Sequence, residues 1–191
     1  MAKSTKHTVA FKRRIEGKTD YRKRLSLLKS GKTRLVIRKT VQNIIAQLVA
    51  YEPDGDKILA NVQSIQLKKL GLKVVNGNIP TAYLTGLLLA KKAKEAKVTE
   101  AIVDLGVQYL TSKARIYALI KGARDGGLNI HASDEVLPTE DRVSGKHIEG
   151  YATLLKENKE AYQRQFGLYL KSGIDPEKIS AEFAKIKEQL Q

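Results

Sequence analysis

The sequence predicts an α/β protein: an antiparallel meander of three strands, then strand-helix-strand crossovers returning to the same mixed sheet, with a basic arm in front and a helical extension behind. Three observations carry this. The residues from Arg34 to Gln63 read as strands, alternating in the first and apolar throughout the second; the pattern takes the helical period after Pro80 and returns to short apolar runs at Ala101 to Leu105 and Leu128 to Ile130. Turn formers mark the changes, at Gly31, at Pro53-Asp54-Gly55-Asp56 and at Gly126-Gly127. Charge is lopsided as well. Met1 to Lys39 holds 14 of the 35 Lys and Arg but only Glu16 and Asp20 of the 20 acids, so +12 of the net +15 lies in the first fifth of the chain.

Met1 to Lys18 mixes Lys, Arg, Thr and His with few apolar residues and is expected to lack a stable fold of its own. Asp20 then caps a short helix with an apolar stripe of Leu25 and Leu28, ended by Gly31. Arg22, Lys23 and Arg24 on that helix cannot all turn inward. In the first strand Leu35 and Ile37 alternate with Arg34, Val36 and Arg38, giving one buried and one cationic face. Asn43 to Tyr51 reads as a strand buried on both sides, and Lys57 to Gln63 as the returning strand. A short helical piece spans Ser64 to Leu70.

Pro80 fits the first turn of a helix running to Lys97, where Lys91, Lys92, Lys94 and Lys97 suit the negative end of its dipole. Ala101 to Leu105 is a short strand, and because a helix crossover normally makes the strands it joins parallel, the sheet is expected to be mixed. Ser112 is expected to cap a helix through Ile116, Leu119, Ile120 and Ala123, followed by a last strand at Leu128 to Ile130. Ala132 to Ser144 reads as an exposed loop. One helix is expected from Gly145 to Leu170, and another after the Asp175-Pro176 cap, with Ile179, Phe183, Ile186 and Leu190 on one stripe. From Ala132 onward there are 9 basic and 11 acidic residues, so this extension is not a general phosphate binder and its stripes pack on the body or on a neighbour. The division expected is an arm at 1–18, a core at 19–131 and the loop and helical extension at 132–191.

At 191 residues and 42% hydrophobic, the chain can bury one good core. With no cysteine, thiol nucleophiles, disulfides and thiolate metal sites are excluded. The longest apolar cluster, around Leu87 to Ala90, is far short of the roughly 20 residues that span a bilayer, and no apolar segment follows the first basic residues as in a secretory signal. The protein is expected to stay where it is made. A front-loaded positive charge points to a polyanion, because each phosphate neutralised by Lys or Arg releases condensed counterions. Phe11 and Tyr21 lie among the cations, where aromatic rings stack on unpaired bases. An anionic lipid surface is the other polyanion; it would need no folded RNA.

Other motifs fall to plainer readings. Gly17-Lys18-Thr19 and Gly31-Lys32-Thr33 mimic the end of a phosphate-binding loop, but the required upstream glycines are Lys12 and Ser26. Glu52, Asp54 and Asp56 lack the closing Glu of a calcium loop, where Gln63 stands. Asp104 at a strand end raises the alternative of a nuclease with a basic substrate arm, since the element order is also that of ribonuclease H. Yet Thr33 to Lys39 offers no second carboxylate to hold metals. His7, His131 and His147 have no identifiable catalytic partner, although His147 beside Lys146 is placed to touch RNA.

Five strings in order, GKTDYRKRLSLLKSGKTRLVIRKT, IIAQLVAY, AYLTGLLLAKKA, IYALIKGARDGGL and KHIEGYATLLKENKEAYQRQF, resemble the family of large-subunit ribosomal protein eighteen, the 5S-rRNA-binding proteins, in its archaeal form, from Phe11 to the C-terminus. The resemblance implies a ribonuclease-H-like core and a non-catalytic, structural role in the cytoplasm. It implies that the protein holds 5S rRNA against the large rRNA in the central protuberance, beside a neighbouring 5S-binding ribosomal protein and other protuberance proteins, with no cofactor and no membrane. Three positions depart from the family pattern: Val41 and Gln42 replace Asn and a basic residue, and Lys113 stands where glycine is common. The residues expected on rRNA are Lys12, Arg13, Arg14, Lys18, Tyr21, Arg22, Lys23, Arg24, Lys29, Lys32, Arg34, Arg38 and Lys39, then Lys113 and Arg115 at a helix start, and Lys146 with His147.

Overall fold

A computed structural model describes residues 9–73 and 77–190. The sheet is mixed and has four strands in the order β3-β2-β1-β4: β1 (Arg34–Lys39), β2 (Ile44–Ala50), β3 (Lys57–Gln63) and β4 (Ile102–Asp104). β1 pairs antiparallel with β2 and β2 antiparallel with β3, whereas β4 lies parallel to β1, as a helical crossover requires. Alternation decides the faces. Leu35, Ile37, Ile44, Ala46, Leu48, Ala60 and Val62 are buried on one side, beneath the helices.

Before the sheet come a single turn, α1 (Lys12–Ile15), and α2 (Tyr21–Leu28). Asp20 caps α2 as expected, its carboxylate accepting from the backbone N–H groups of Arg22 and Lys23. The apolar side of α2 differs from expectation. Leu25 is exposed and Leu27 and Leu28 are half-buried, because α2 leans on the β4 edge. The segment expected to have no fold of its own is partly ordered: α1 is closed by the Lys18 N–H to the Arg13 carbonyl at 2.9 Å, and the Phe11 and Tyr21 rings lie 5.0 Å apart. Residues 1–8, including His7, lie outside the described residues.

α3 (Ile79–Glu95), capped by Asn78, fills the core above β2 and β3, and α4 (Arg115–Asp125) packs along it. Gly86 of α3 and Gly122 of α4 make that crossing possible: a Cβ on Gly86 would collide with the Leu119 carbonyl, and one on Gly122 with the Tyr83 carbonyl. A 3-10 turn at Ser64–Leu70 precedes α3. The expected strand at Leu128 to Ile130 is reduced to one parallel bridge between Glu100 and Asn129. Leu128 and Ile130 turn into the core instead of extending a ladder beside the three-residue β4. Ser112 is not the cap of α4 either. The helix begins after Ala114 with no side-chain cap, because Lys113 takes a left-handed conformation (φ 59°) that delays it.

Beyond Ala132 the expected open loop contains a 3-10 turn (Asp134–Val136) and a short helix, α5 (Glu140–Ser144), with Leu137 and Val143 buried. An element of five residues is too short to show a helical period. The long helix expected next is two, α6 (Lys146–Leu155) and α7 (Lys159–Lys171), because Asn158 restarts the helix by accepting from the Ala161 N–H. α8 (Ile179–Leu190) follows Asp175 and Pro176 and carries the expected stripe onto α3, where Phe183 meets Tyr83 at 5.7 Å between ring centroids. Tyr83 also donates to the Asp125 carboxylate at 2.9 Å; burial, then that bond, pushes its phenol above its ordinary pKa. None of the described helices is long and apolar enough to cross a membrane.

Candidate nucleic-acid interface

With α3 and α4 on one face of the sheet, the other face is left to α1, α2 and the side chains that β1 to β3 present. Arg34 is the correction that matters most. The alternation puts it on this face, but it is 3% exposed and does not join a cationic surface. Its guanidinium donates to Asp104 at 3.1 Å and to Asp56 at 2.6 Å. Two carboxylates distant in sequence, one in the β2–β3 turn and one ending β4, therefore converge on one buried cation. Asp56 also accepts from Arg24 at 2.8 Å, which ties α2 to the same turn. Among the described residues no group of acidic and histidine side chains is placed to hold a metal. The two acids nearest to a nuclease's requirements are occupied by a guanidinium.

The other expected cations divide by what they already touch. Lys18 pairs with Glu16, Lys32 with Glu100 and Lys146 with Asp141, each exposed enough to exchange its partner for a phosphate. Arg38 donates to the Ile37 and Asp104 carbonyls and sits 3.7 Å from the Asp104 carboxylate, half in solvent. Arg115 is a clamp rather than a reaching side chain: one of its nitrogens donates to the carbonyls of Val41 and Gly77. Lys12, Arg13, Arg14, Arg22, Lys23, Lys29, Lys39 and Lys113 are exposed and make no ion pair with another described residue. All but the last two lie on or beside α1 and α2.

Lys39 and Lys113 lie elsewhere, Lys39 at the end of β1 and Lys113 before α4, where its backbone N–H donates to the Val136 carbonyl. The Lys39 ammonium donates to the Tyr109 carbonyl at 3.1 Å, and the Tyr109 ring is 84% exposed, with Val41 also in solvent. Tyr109 was not singled out from sequence; an aromatic in a loop without apolar period, four residues before Lys113, was the available signal. Tyr21 is half-buried against Phe11, which is the more exposed ring of the two. Lys146 and His147 stand apart on α6, which packs with α5, α7 and α8. Desolvation of the His147 ring, then Arg142, lowers its pKa below the ordinary histidine value, which disfavours its cationic form.

An α/β body that presents unpaired Lys and Arg on one side, with its nearby carboxylates already matched, has the chemistry of a polyanion-binding protein. The comparisons narrow this class. The family model described as ribosomal large subunit proteins 60S L5 and 50S L18 matches residues 5–100. A curated relative, the large ribosomal subunit protein uL18 of Methanococcus maripaludis, is 46% identical over 190 residues, covering 100% of this chain and 98% of its own length. The chain belongs to this family of large-subunit ribosomal proteins.

Proposed function

We propose that this chain is a non-catalytic constituent of the large ribosomal subunit that binds 5S rRNA and attaches it to the large rRNA in the central protuberance. It acts in the cytoplasm, beside another 5S-binding protein. The observation that carries this reading is the group of exposed cations on α1 and α2 that have no acidic partner among the described residues. A-form RNA hides its major-groove edges, so a surface of this kind meets phosphates, 2′-hydroxyls and a few unstacked bases. The strand order β3-β2-β1-β4 supports reading the body, 19–131, as a ribonuclease-H-like sheet with an arm before it and the extension 132–191 behind. Lys39 with Tyr109 forms a second point of contact in this reading, and Lys113 before α4 a further one.

The test is footprinting of 5S rRNA with the purified full chain and with a form lacking residues 1–18. The full chain protects a defined set of backbone positions, and the truncated form loses part of that set while still binding. Equal protection of an unrelated folded RNA of the same length overturns the 5S assignment.

A further inference from the structure

The open face of the sheet holds a groove of about 230 Å³ between α2 and the strands. Its floor follows from the register. Val36 on β1 lies opposite Gln47 on β2, and Val49, two residues along β2, lies opposite Ile58 on β3. With strands about 4.8 Å apart and alternate residues about 6.8 Å apart, these four side chains span roughly 10 by 7 Å, the footprint of a flat base, with Val49 buried at the register shift that follows Leu48, and with Ile58 exposed. Three of the four are aliphatic. Gln47 is half-exposed and carries both a donor and an acceptor, the combination a base edge requires.

The walls are charged. Basic residues lining the groove outnumber acidic ones six to three, and each of the three carboxylates already accepts from donors of the chain: Asp20 from α2, Asp56 from Arg24 and Arg34, Asp104 from Arg34 and the Gly106 N–H. Lys23 makes no ion pair with another described residue, and Arg38, half in solvent, meets the Asp104 carboxylate only at 3.7 Å. Arg34 contributes a further unmet group, because its buried Nε–H has no hydrogen-bond partner among the described residues. A pocket that pairs a flat aliphatic floor with a cationic rim suits a ligand that is a flat ring attached to an anion.

We propose that this groove takes one unstacked nucleotide of the bound RNA, its base on Val36, Val49 and Ile58, its edge on the Gln47 amide and its phosphate between Lys23 and Arg38. The inference rests on the RNA-binding reading above and adds base contact to it. An acidic peptide would be drawn by the same charges, but it has no planar group for the floor.

The experiment uses the full chain and amide NMR, titrating nucleoside 5′-monophosphates, ribose 5-phosphate and a short polyglutamate separately. The nucleotides are expected to shift the amides of Val36, Gln47, Val49 and Ile58 in the millimolar range, and ribose 5-phosphate to shift only the rim. In parallel, the double variant Gln47→Ala, Ile58→Ala is expected to bind 5S rRNA about tenfold more weakly with an unchanged dependence on salt, since no cation has been removed. Identical shifts from nucleotides, ribose phosphate and polyglutamate overturn the proposal, as does RNA affinity within about twofold of wild type in the variant. If the wild-type chain fails to bind 5S rRNA while nucleotides still move the floor residues, the 5S assignment falls and the groove stands.

Discussion

Replacing Arg22 and Lys23 by Ala tests the interface most directly. Both side chains are exposed, and only their backbone N–H groups are used, by the Asp20 cap. The helix start is therefore untouched, and surface changes of this kind stay within about 0.5 kcal/mol of wild-type stability. If about six of the exposed cations reach phosphates, log affinity falls with log salt at a slope of roughly −4 to −5, using about 0.7 to 0.9 per contact. Raising salt about fourfold then weakens binding by roughly 250- to 1000-fold. Removing two contacts brings the slope to about −3 to −3.5, and the same change of salt costs only about 60- to 130-fold. Filter binding of 5S rRNA over a series of salt concentrations measures this, with a thermal melt as control. A slope within about 0.5 of wild type in a variant that melts normally removes α2 from the RNA surface.

Arg34 carries the opposite expectation. Arg34→Ala removes the buried cation shared by Asp104 and Asp56, leaving Asp56 to Arg24 and Asp104 to the more distant Arg38; the loss is about 3 kcal/mol, read as a lower midpoint in urea, and a midpoint equal to wild type would refute the buried pair. At Lys113 the left-handed backbone costs an L residue roughly 1 to 2 kcal/mol, partly offset by the extra unfolded-state freedom of glycine, so Lys113→Gly is expected to stabilise by about 0.5 to 1 kcal/mol and raise the melting temperature by a few degrees. His147 has its pKa lowered on folding, so below about pH 6.5 the unfolded chain binds more protons and stability falls with pH; above it the contribution is complete. His147→Gln should therefore flatten the decline in melting temperature between about pH 7 and 5, and an unchanged profile counts against it.

Where one period dominates, local pattern was enough. The Asp20 cap, the Pro53 to Asp56 turn, β3 from Lys57 to Gln63 and the stripe of α8 all follow from residues within a few positions of one another. Where two local signals compete, pattern failed: Asn158 lies inside an apolar period yet restarts the helix, and Leu128 to Ile130 is apolar enough for a strand but finds only Asn129 a partner. Arg34 is a different kind of case. Period two placed it on the right face, but its exposure depended on Asp56 and Asp104, which are 22 and 70 positions away. Gln47 is a polar residue inside IIAQLVA, but a run apolar on both faces gives no local reason to place its side chain on an open one.

Under the proposed RNA-binding role, the burial of Arg34 also bears on how the surrounding cations would act. A polybasic segment that orders only on its ligand loses side-chain and backbone freedom at the moment of binding, at about 0.5 to 1.5 kcal/mol for each immobilised side chain. Here part of that ordering precedes RNA. Asp20 fixes the first turn of α2, and Asp56 accepts from Arg24 on α2 and from Arg34 in the sheet at the same time, so one turn carboxylate joins the helix to the strands. Two cations, Arg24 and Arg34, and two aspartates thus spend their charge on holding the mount, while Arg22 and Lys23 on the same helix have no acidic partner among the described residues. Counting Lys and Arg alone overstates the number of phosphate contacts, and it understates how rigidly the remaining ones are presented. A change at Asp56 should accordingly weaken RNA binding without altering its salt slope, because it loosens the helix and removes no cation.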